Sequence, residues 1–169
     1  MHTKFWIHSK SSESFFFWLY RPAGAGKTSI LQAITEFLCS PSESDQIFWG
    51  SFFFSRGKHG RDQGHFLFSM ITYQLALKVP RLRQHINHIM ESDPALHTVD
   101  GHPDSITDCH KCLPPLPQCL YLVIVDGLDE CYDKTTQKSI LQLLYESIKV
   151  HKLLLRFLVG SCPKSHIHF

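Results

Sequence analysis

The stretch Arg21-Pro22-Ala23-Gly24-Ala25-Gly26-Lys27-Thr28 sets two glycines, a lysine and a hydroxyl in the order that a phosphate-gripping turn requires. Glycines let the main chain curl so that successive N–H groups point inward at an anion. A helix beginning near Lys27 would add its own free N–H groups and the positive end of its dipole. Lys27 would then bring an ammonium to the β- and γ-phosphates of a nucleotide, and the Thr28 hydroxyl would ligate Mg²⁺. The candidate nucleotide contacts are Pro22, Ala23, Gly24, Ala25, Gly26, Lys27, Thr28 and Ser29. One position departs from the pattern of Gly, four residues, Gly-Lys-Ser/Thr: its first glycine is Arg21. Pro22 pushes Arg21 towards extended backbone. If the turn needs positive φ there, a residue with a Cβ costs roughly 1 kcal/mol.

A second group of chemically capable residues follows the apolar run Leu120-Tyr121-Leu122-Val123-Ile124-Val125, namely Asp126-Gly127-Leu128-Asp129-Glu130. A buried strand of this kind delivers Asp126 to its carboxyl end, where phosphate ligands of parallel sheets sit. Asp126 is the candidate Mg²⁺ ligand together with Thr28, directly or through water. Glu130 is the candidate to orient or activate an attacking water, and Asp129 to support the metal or Glu130. The first stretch is the strongest signal in the sequence, its alternative being a glycine-rich turn between strand and helix or an inherited loop that no longer binds; the alternative for the second is a solvated acidic turn or an N-cap group. Their combination is what points to phosphate chemistry.

Other reactive side chains carry less. Cys109-His110-Lys111-Cys112, with Cys119 and His102 nearby, offers one Cys-x-x-Cys but no second pair at zinc-finger spacing, so it reads as ordinary loop thiols. The 12 histidines show no metalloprotease spacing, and no Gly-x-Ser-x-Gly elbow occurs. Arg56 and Arg61 follow a strand and could approach phosphates, although a solvated loop is the simpler reading.

These residues need elements to hold them. Residues 14–20 form an aromatic run expected to be a buried strand. From Lys27, the spacing of Ile30, Leu31, Ile34, Phe37 and Leu38 predicts a helix, stopped at Pro41. A second aromatic strand is expected over 47–54, a helix over 66–78 ended by Pro80, and a short helix carrying Leu82, Ile86, Ile89 and Met90. Residues 93–119, with Pro94, Pro103, Pro114, Pro115 and Pro117, read as an irregular loop. Strand 120–125, a polar connection, helix 135–149 and strand 153–159 complete the chain. Residues 1–13 read as a polar tail and 14–169 as one core. Strands alternating with helices argue for a mostly parallel sheet with helices on both faces.

Composition excludes some classes. With 43% hydrophobic and 19% charged residues, the chain is an ordinary globular domain. A net charge of +2 and no dense Lys/Arg run give no footprint for a nucleic-acid partner. The apolar run at 15–20 falls far short of the ~20 residues that cross a bilayer, and Met1–Trp6 lacks a secretory leader. A cytoplasmic setting with free thiols at Cys39, Cys109, Cys112, Cys119, Cys131 and Cys162 is therefore expected, with no membrane contact.

Together the motifs resemble the NACHT family of signal-transduction NTPases, in particular fungal members similar to the N-terminal region of nephrocystin-3. The resemblance rests on Trp18-Leu19-Tyr20 leading into Pro22–Thr28, on Ser51-Phe52-Phe53-Phe54-Ser55-Arg56, on Tyr73-Gln74-Leu75-Ala76, on Asp126-Gly127-Leu128-Asp129-Glu130-Cys131, and on Arg156-Phe157-Leu158 with Ser161 and Pro163. It implies a P-loop NTPase fold, a three-layer α/β/α sandwich. It further implies an ATP/ADP switch using Mg²⁺, with slow hydrolysis at most and with protein partners reached through effector or repeat regions or by self-association. In such proteins the terminal strand ends in Ser-Arg-Pro, whose arginine senses the γ-phosphate; here the residues are Ser161-Cys162-Pro163, and cysteine supplies no fixed positive fork. The resemblance also implies that the chain is truncated before the modules that close over the nucleotide. Strand 14–20 would then be an exposed aromatic edge. No guanine-reading Asn/Thr-Lys-x-Asp motif occurs, which favours adenine without setting GTP aside. The competing functions are a degenerate, nucleotide-free interaction module and a small nucleoside or nucleotide kinase, the latter disfavoured because no Arg-rich lid is found.

Overall fold

The computed structural model describes residues 15–39, 47–78, 120–149 and 155–164, with isolated helical positions at 80, 83–84, 87–88 and 91. Four strands, β1 (Phe16–Tyr20), β2 (Ile47–Phe53), β3 (Leu120–Asp126) and β4 (Leu155–Ser161), form one sheet in the order β1-β4-β3-β2. Every neighbouring pair is parallel. Helices α1 (Lys27–Leu38), α2 (His65–Lys78) and α3 (Lys134–Lys149) pack on it.

The layers follow from strand periodicity. Successive side chains of a strand point to opposite faces. Leu122 and Ile124 of β3 and Leu158 of β4 therefore meet Leu31 and Leu38 of α1 on one side. Val123, Val125, Phe157 and Val159 meet Leu67 of α2 and Ile140, Leu141, Leu144 and Ile148 of α3 on the other. Because β3 is covered on both faces, it reads as an unbroken apolar run rather than an alternating one. Each fully buried aliphatic side chain contributes about 1.5–3 kcal/mol relative to exposure. Helix α3 is capped by Asp133, whose Oδ2 accepts from Thr136 N at 2.7 Å and Thr136 Oγ1 at 2.8 Å. Those bonds hold the Asp133 carboxyl below its ordinary pKa.

The α/β expectation is met, with small shifts in the elements. Strand β4 continues two residues past its expected end, and the connection after β3 contains a 3₁₀ turn, Leu128–Glu130. Strand β1 lies at an edge of the described sheet, as expected, but its aromatics are not bare. Phe16 to Leu19 are half-buried. Phe16 stacks on Phe157 at 5.2 Å, and Trp18 Nε1 donates to Ser161 Oγ at 2.8 Å. Tyr20 alone among the five is exposed. The tail 1–13, the loop 93–119 with its Cys109–Cys112 pair, and Leu82, Ile86, Ile89 and Met90 lie outside the described residues.

Parallel strands end on the same edge of the sheet. The segments following β1, β2, β3 and β4 therefore converge there, and since β4 lies between β1 and β3, the glycine turn and the acidic turn face each other across the end of β4.

Candidate functional site

The convergent segments enclose an open cleft of about 500 Å³ lined by Ala23, Gly24, Gly26, Lys27, Thr28, Arg56, Asp126, Gly127, Asp129, Glu130 and Cys162. Its first wall is the turn between β1 and α1. Arg21 N still reaches Ser161 O at 3.4 Å, so the chain leaves the sheet only after that residue. Ala25 N then donates to Pro22 O at 3.3 Å. The left-handed positions fall at Gly24 (φ 77°) and Gly26 (φ 75°), where residues with a Cβ would be strained. Gly26 immediately precedes α1, and no side chain caps the first turn of that helix. The helix therefore presents uncapped N–H groups to the cleft.

Lys27 opens α1 and is 8% exposed. Its Nζ donates to Arg21 O at 2.8 Å, Pro22 O at 3.0 Å and Cys162 Sγ at 3.3 Å. The ammonium is thus folded back on the loop that carries it and on the residue following β4. Thr28, one position on, places its hydroxyl beside the Asp126 carboxyl. Ala23, Gly24, Gly26, Lys27 and Thr28 line the cleft; Pro22 contributes its carbonyl to Lys27, while Ala25 and Ser29 are exposed and outside the lining.

The second wall is the acidic turn. Asp126 ends β3, is 3% exposed, and leaves Oδ1 without a hydrogen-bond partner. Burial pushes its carboxyl above the ordinary pKa of 3.8; hydrogen bonds from Thr28 and Gly127 and the Lys27 charge oppose that rise, and Glu130 adds to it. Gly127, at φ 67°, turns the chain into the 3₁₀ segment, where Glu130 N donates to Gly127 O at 2.7 Å. Asp129 faces the end of β4: its Oδ1 accepts from Cys162 N at 2.9 Å. Glu130 Oε2 accepts from Arg56 N at 3.1 Å.

The chemistry of this donor set fits a hard divalent cation between Thr28 and Asp126. Both offer oxygen, and a buried carboxylate with its charged form disfavoured gains from a neighbouring cation. Among the described residues, no three His, Cys, Asp or Glu side chains cluster closely enough to hold a metal by themselves. Phosphate oxygens and water would have to complete the shell, as is usual for Mg²⁺.

Three participants escaped sequence reasoning or were undervalued by it. Arg56 lines the cleft, whereas Arg61 does not; Arg61 instead closes the turn after β2, with Ser55 N donating to Arg61 O at 2.8 Å. Lys164 Nζ donates to Asp129 O at 2.6 Å and braces the acidic turn from beyond β4. Gly160 lies against Asp126, and no spacing in the sequence marked it. No described helix is long and apolar enough to cross a membrane.

Comparison with known proteins adds one finding to this geometry. No curated protein and no solved structure matches the chain. The family model described as nephrocystin 3, N-terminal, matches residues 1–162, a span that takes in both walls of the cleft and the strand between them. The chain is a member of the nephrocystin 3 N-terminal family.

Proposed function

We propose that the chain is a NACHT-type P-loop module that binds ATP and ADP with Mg²⁺ in the cytoplasm and serves as a signalling switch, with slow hydrolysis as its residual chemistry. The observation that carries this reading is the Thr28–Asp126 contact beside the Lys27 loop. It joins a turn built for anions to a buried carboxylate in need of a counter-charge. In this reading the uncapped start of α1 and the N–H groups around Gly24 and Gly26 hold the phosphate chain. Lys27 exchanges its loop carbonyls for phosphate oxygens. Mg²⁺ at Thr28 and Asp126 would neutralise phosphate charge. Glu130 orients water, and Asp129 keeps the acidic turn docked on the end of β4. Protein partners would be reached by self-association or through regions outside this domain.

Calorimetric titration of MgATP and MgADP into the wild type, Lys27→Ala and Glu130→Gln tests the proposal, with MgGTP run alongside. Each charge-assisted hydrogen bond contributes about 1.5–3 kcal/mol, so Lys27→Ala should weaken binding at least ~10-fold. Glu130→Gln keeps an oxygen for Arg56 N but cannot accept a proton, so binding should persist while turnover falls by about 10²–10⁴. Equal affinity in wild type and Lys27→Ala defeats the reading. A nucleotide-free interaction module is the second reading, supported by the three acceptors that already satisfy Lys27 Nζ. Absence of binding by either nucleotide at millimolar concentration would favour it.

A further inference from the structure

The cleft-lining cations are Lys27 and Arg56, and they come from opposite walls. Lys27 belongs to the loop after β1. Arg56 belongs to the turn after β2, beside Glu130. The main chain at Arg56 is fixed: its N–H is held by Glu130 Oε2 at 3.1 Å. The turn is closed by Lys58 N to Ser55 O at 3.1 Å, Arg61 N to Lys58 O at 2.9 Å and Ser55 N to Arg61 O at 2.8 Å.

The side chain is not fixed in the same way. Arg56 is exposed, and its Nη2 reaches Asp129 O only at 3.5 Å, the outer limit of a hydrogen bond. That carbonyl is already served by Lys164 Nζ at 2.6 Å. The guanidinium can therefore leave without orphaning a buried acceptor, which removes the usual cost of such a movement.

From this we propose that Arg56 is the residue that distinguishes a triphosphate from a diphosphate in this cleft. The inference rests on the nucleotide-binding reading and assigns a specificity that reading does not contain. If Glu130 faces the water that attacks the terminal phosphate, then Arg56, whose main chain touches Glu130, stands on the terminal-phosphate side. The glycine loop cradles the inner phosphates, and Lys27 reaches the β- and γ-phosphates from the opposite wall. A planar fork of N–H donors suits the oxygens of a terminal phosphoryl group better than a point charge does. The acids Asp126, Asp129 and Glu130 line the same wall, so an added phosphate needs a local cation to offset their repulsion.

The test is calorimetric titration of MgATP and MgADP into wild type, Arg56→Gln and Arg56→Lys, with the melting temperature of each variant recorded. Arg56→Gln should weaken MgATP 10- to 100-fold, and leave MgADP within about twofold. Arg56→Lys should recover part of the loss, and melting temperatures should agree among the three proteins. A loss shared equally by MgATP and MgADP, with or without a lower melting temperature, overturns the assignment, because a residue that merely supports the turn has no preference between them. So does unchanged MgATP affinity in Arg56→Gln. A wild type that binds neither nucleotide removes the nucleotide reading and this inference together, which separates that failure from a failure of Arg56 alone.

Discussion

Asp126 Oδ1 projects into the space that Gly160 leaves on the neighbouring strand. A Cβ at position 160 would lie 2.5 Å from that oxygen and 2.6 Å from Leu31 Cδ1. Strand β4 sits between the strands that precede the two walls of the cleft, so its last turn decides how closely they approach. Asp126 is held from the other side by Thr28 and Gly127, and Leu31 is fully buried under the sheet. Moving either neighbour aside would disturb a buried side chain.

Gly160→Ala is therefore expected to damage the fold and the site at once. Overpacking of this kind costs about 1–3 kcal/mol. In a domain of this size each kcal/mol lowers the melting temperature by roughly 2–4 °C. Scanning calorimetry of Gly160→Ala should show a drop of that order, and the Thr28–Asp126 contact should be disturbed with it. A melting temperature equal to that of the wild type would mean that the close approach of Asp126 to β4 is not real.

The raised pKa of Asp126 yields a prediction with a definite sign. The folded protein holds this proton more tightly than the unfolded chain, so folding takes up a proton between pH 3.8 and the higher folded value. The contribution of Asp126 to stability is full below 3.8 and declines as pH rises through that window. At neutral pH the buried carboxylate is a net cost. Asp126→Asn mimics the protonated form at every pH. The melting temperature of the variant minus that of the wild type should thus be larger at pH 7 than near pH 4, by about 3 °C for each kcal/mol of penalty relieved. Mg²⁺ with nucleotide should raise the wild type and leave Asp126→Asn nearly unmoved. A gap that stays constant, or widens towards acid, would contradict burial as the cause.

How much of this was legible beforehand depended on whether a residue's role is local. The spacing of Leu31, Ile34 and Leu38 marks α1 because a helix buries one stripe. The run Leu120–Val125 marks β3 because a central strand buries both faces. The turn at Gly24 and Gly26 and the start of α1 at Lys27 were readable because both are set by consecutive residues. The end of β4 was placed too early because the apolar run stops at Val159, while the strand, which contains the charged Arg156 buried at 4% exposure, continues through Gly160-Ser161. Its ending is set by pairing with β1, Leu19 opposite Gly160 and Tyr20 opposite Ser161, which no local pattern announces. Arg56 looked like a loop arginine for the same reason: Phe54 N donates to Asp126 O at 2.9 Å, and that cross-strand bond brings the turn to the acidic wall. Lys164 and Gly160 act across strands as well. Residues whose partners are distant in sequence leave no spacing to read.

Cys162 supplies the last prediction, because it reports on the cleft without disturbing the sheet. Its Sγ lies 3.3 Å from Lys27 Nζ, it is half-buried, and it lines the cleft. Cys39 is exposed at the far end of α1, and Cys131 is buried, so the chain carries its own references. If an anionic ligand draws Lys27 away from Sγ and fills the cleft, a small methanethiosulfonate reagent should modify Cys162 at least ~10-fold more slowly in the presence of saturating MgADP or MgATP, because the occupied cleft denies the reagent access to the thiol. Modification of Cys39 should proceed at the same rate with and without ligand, and Cys131 should stay slow in both. Peptide mass spectrometry over a time course reads all three thiols in one sample. Protection that appears equally at Cys39 would indicate a general change in the protein, and equal rates at Cys162 with and without saturating nucleotide would place the ligand elsewhere than beside Lys27.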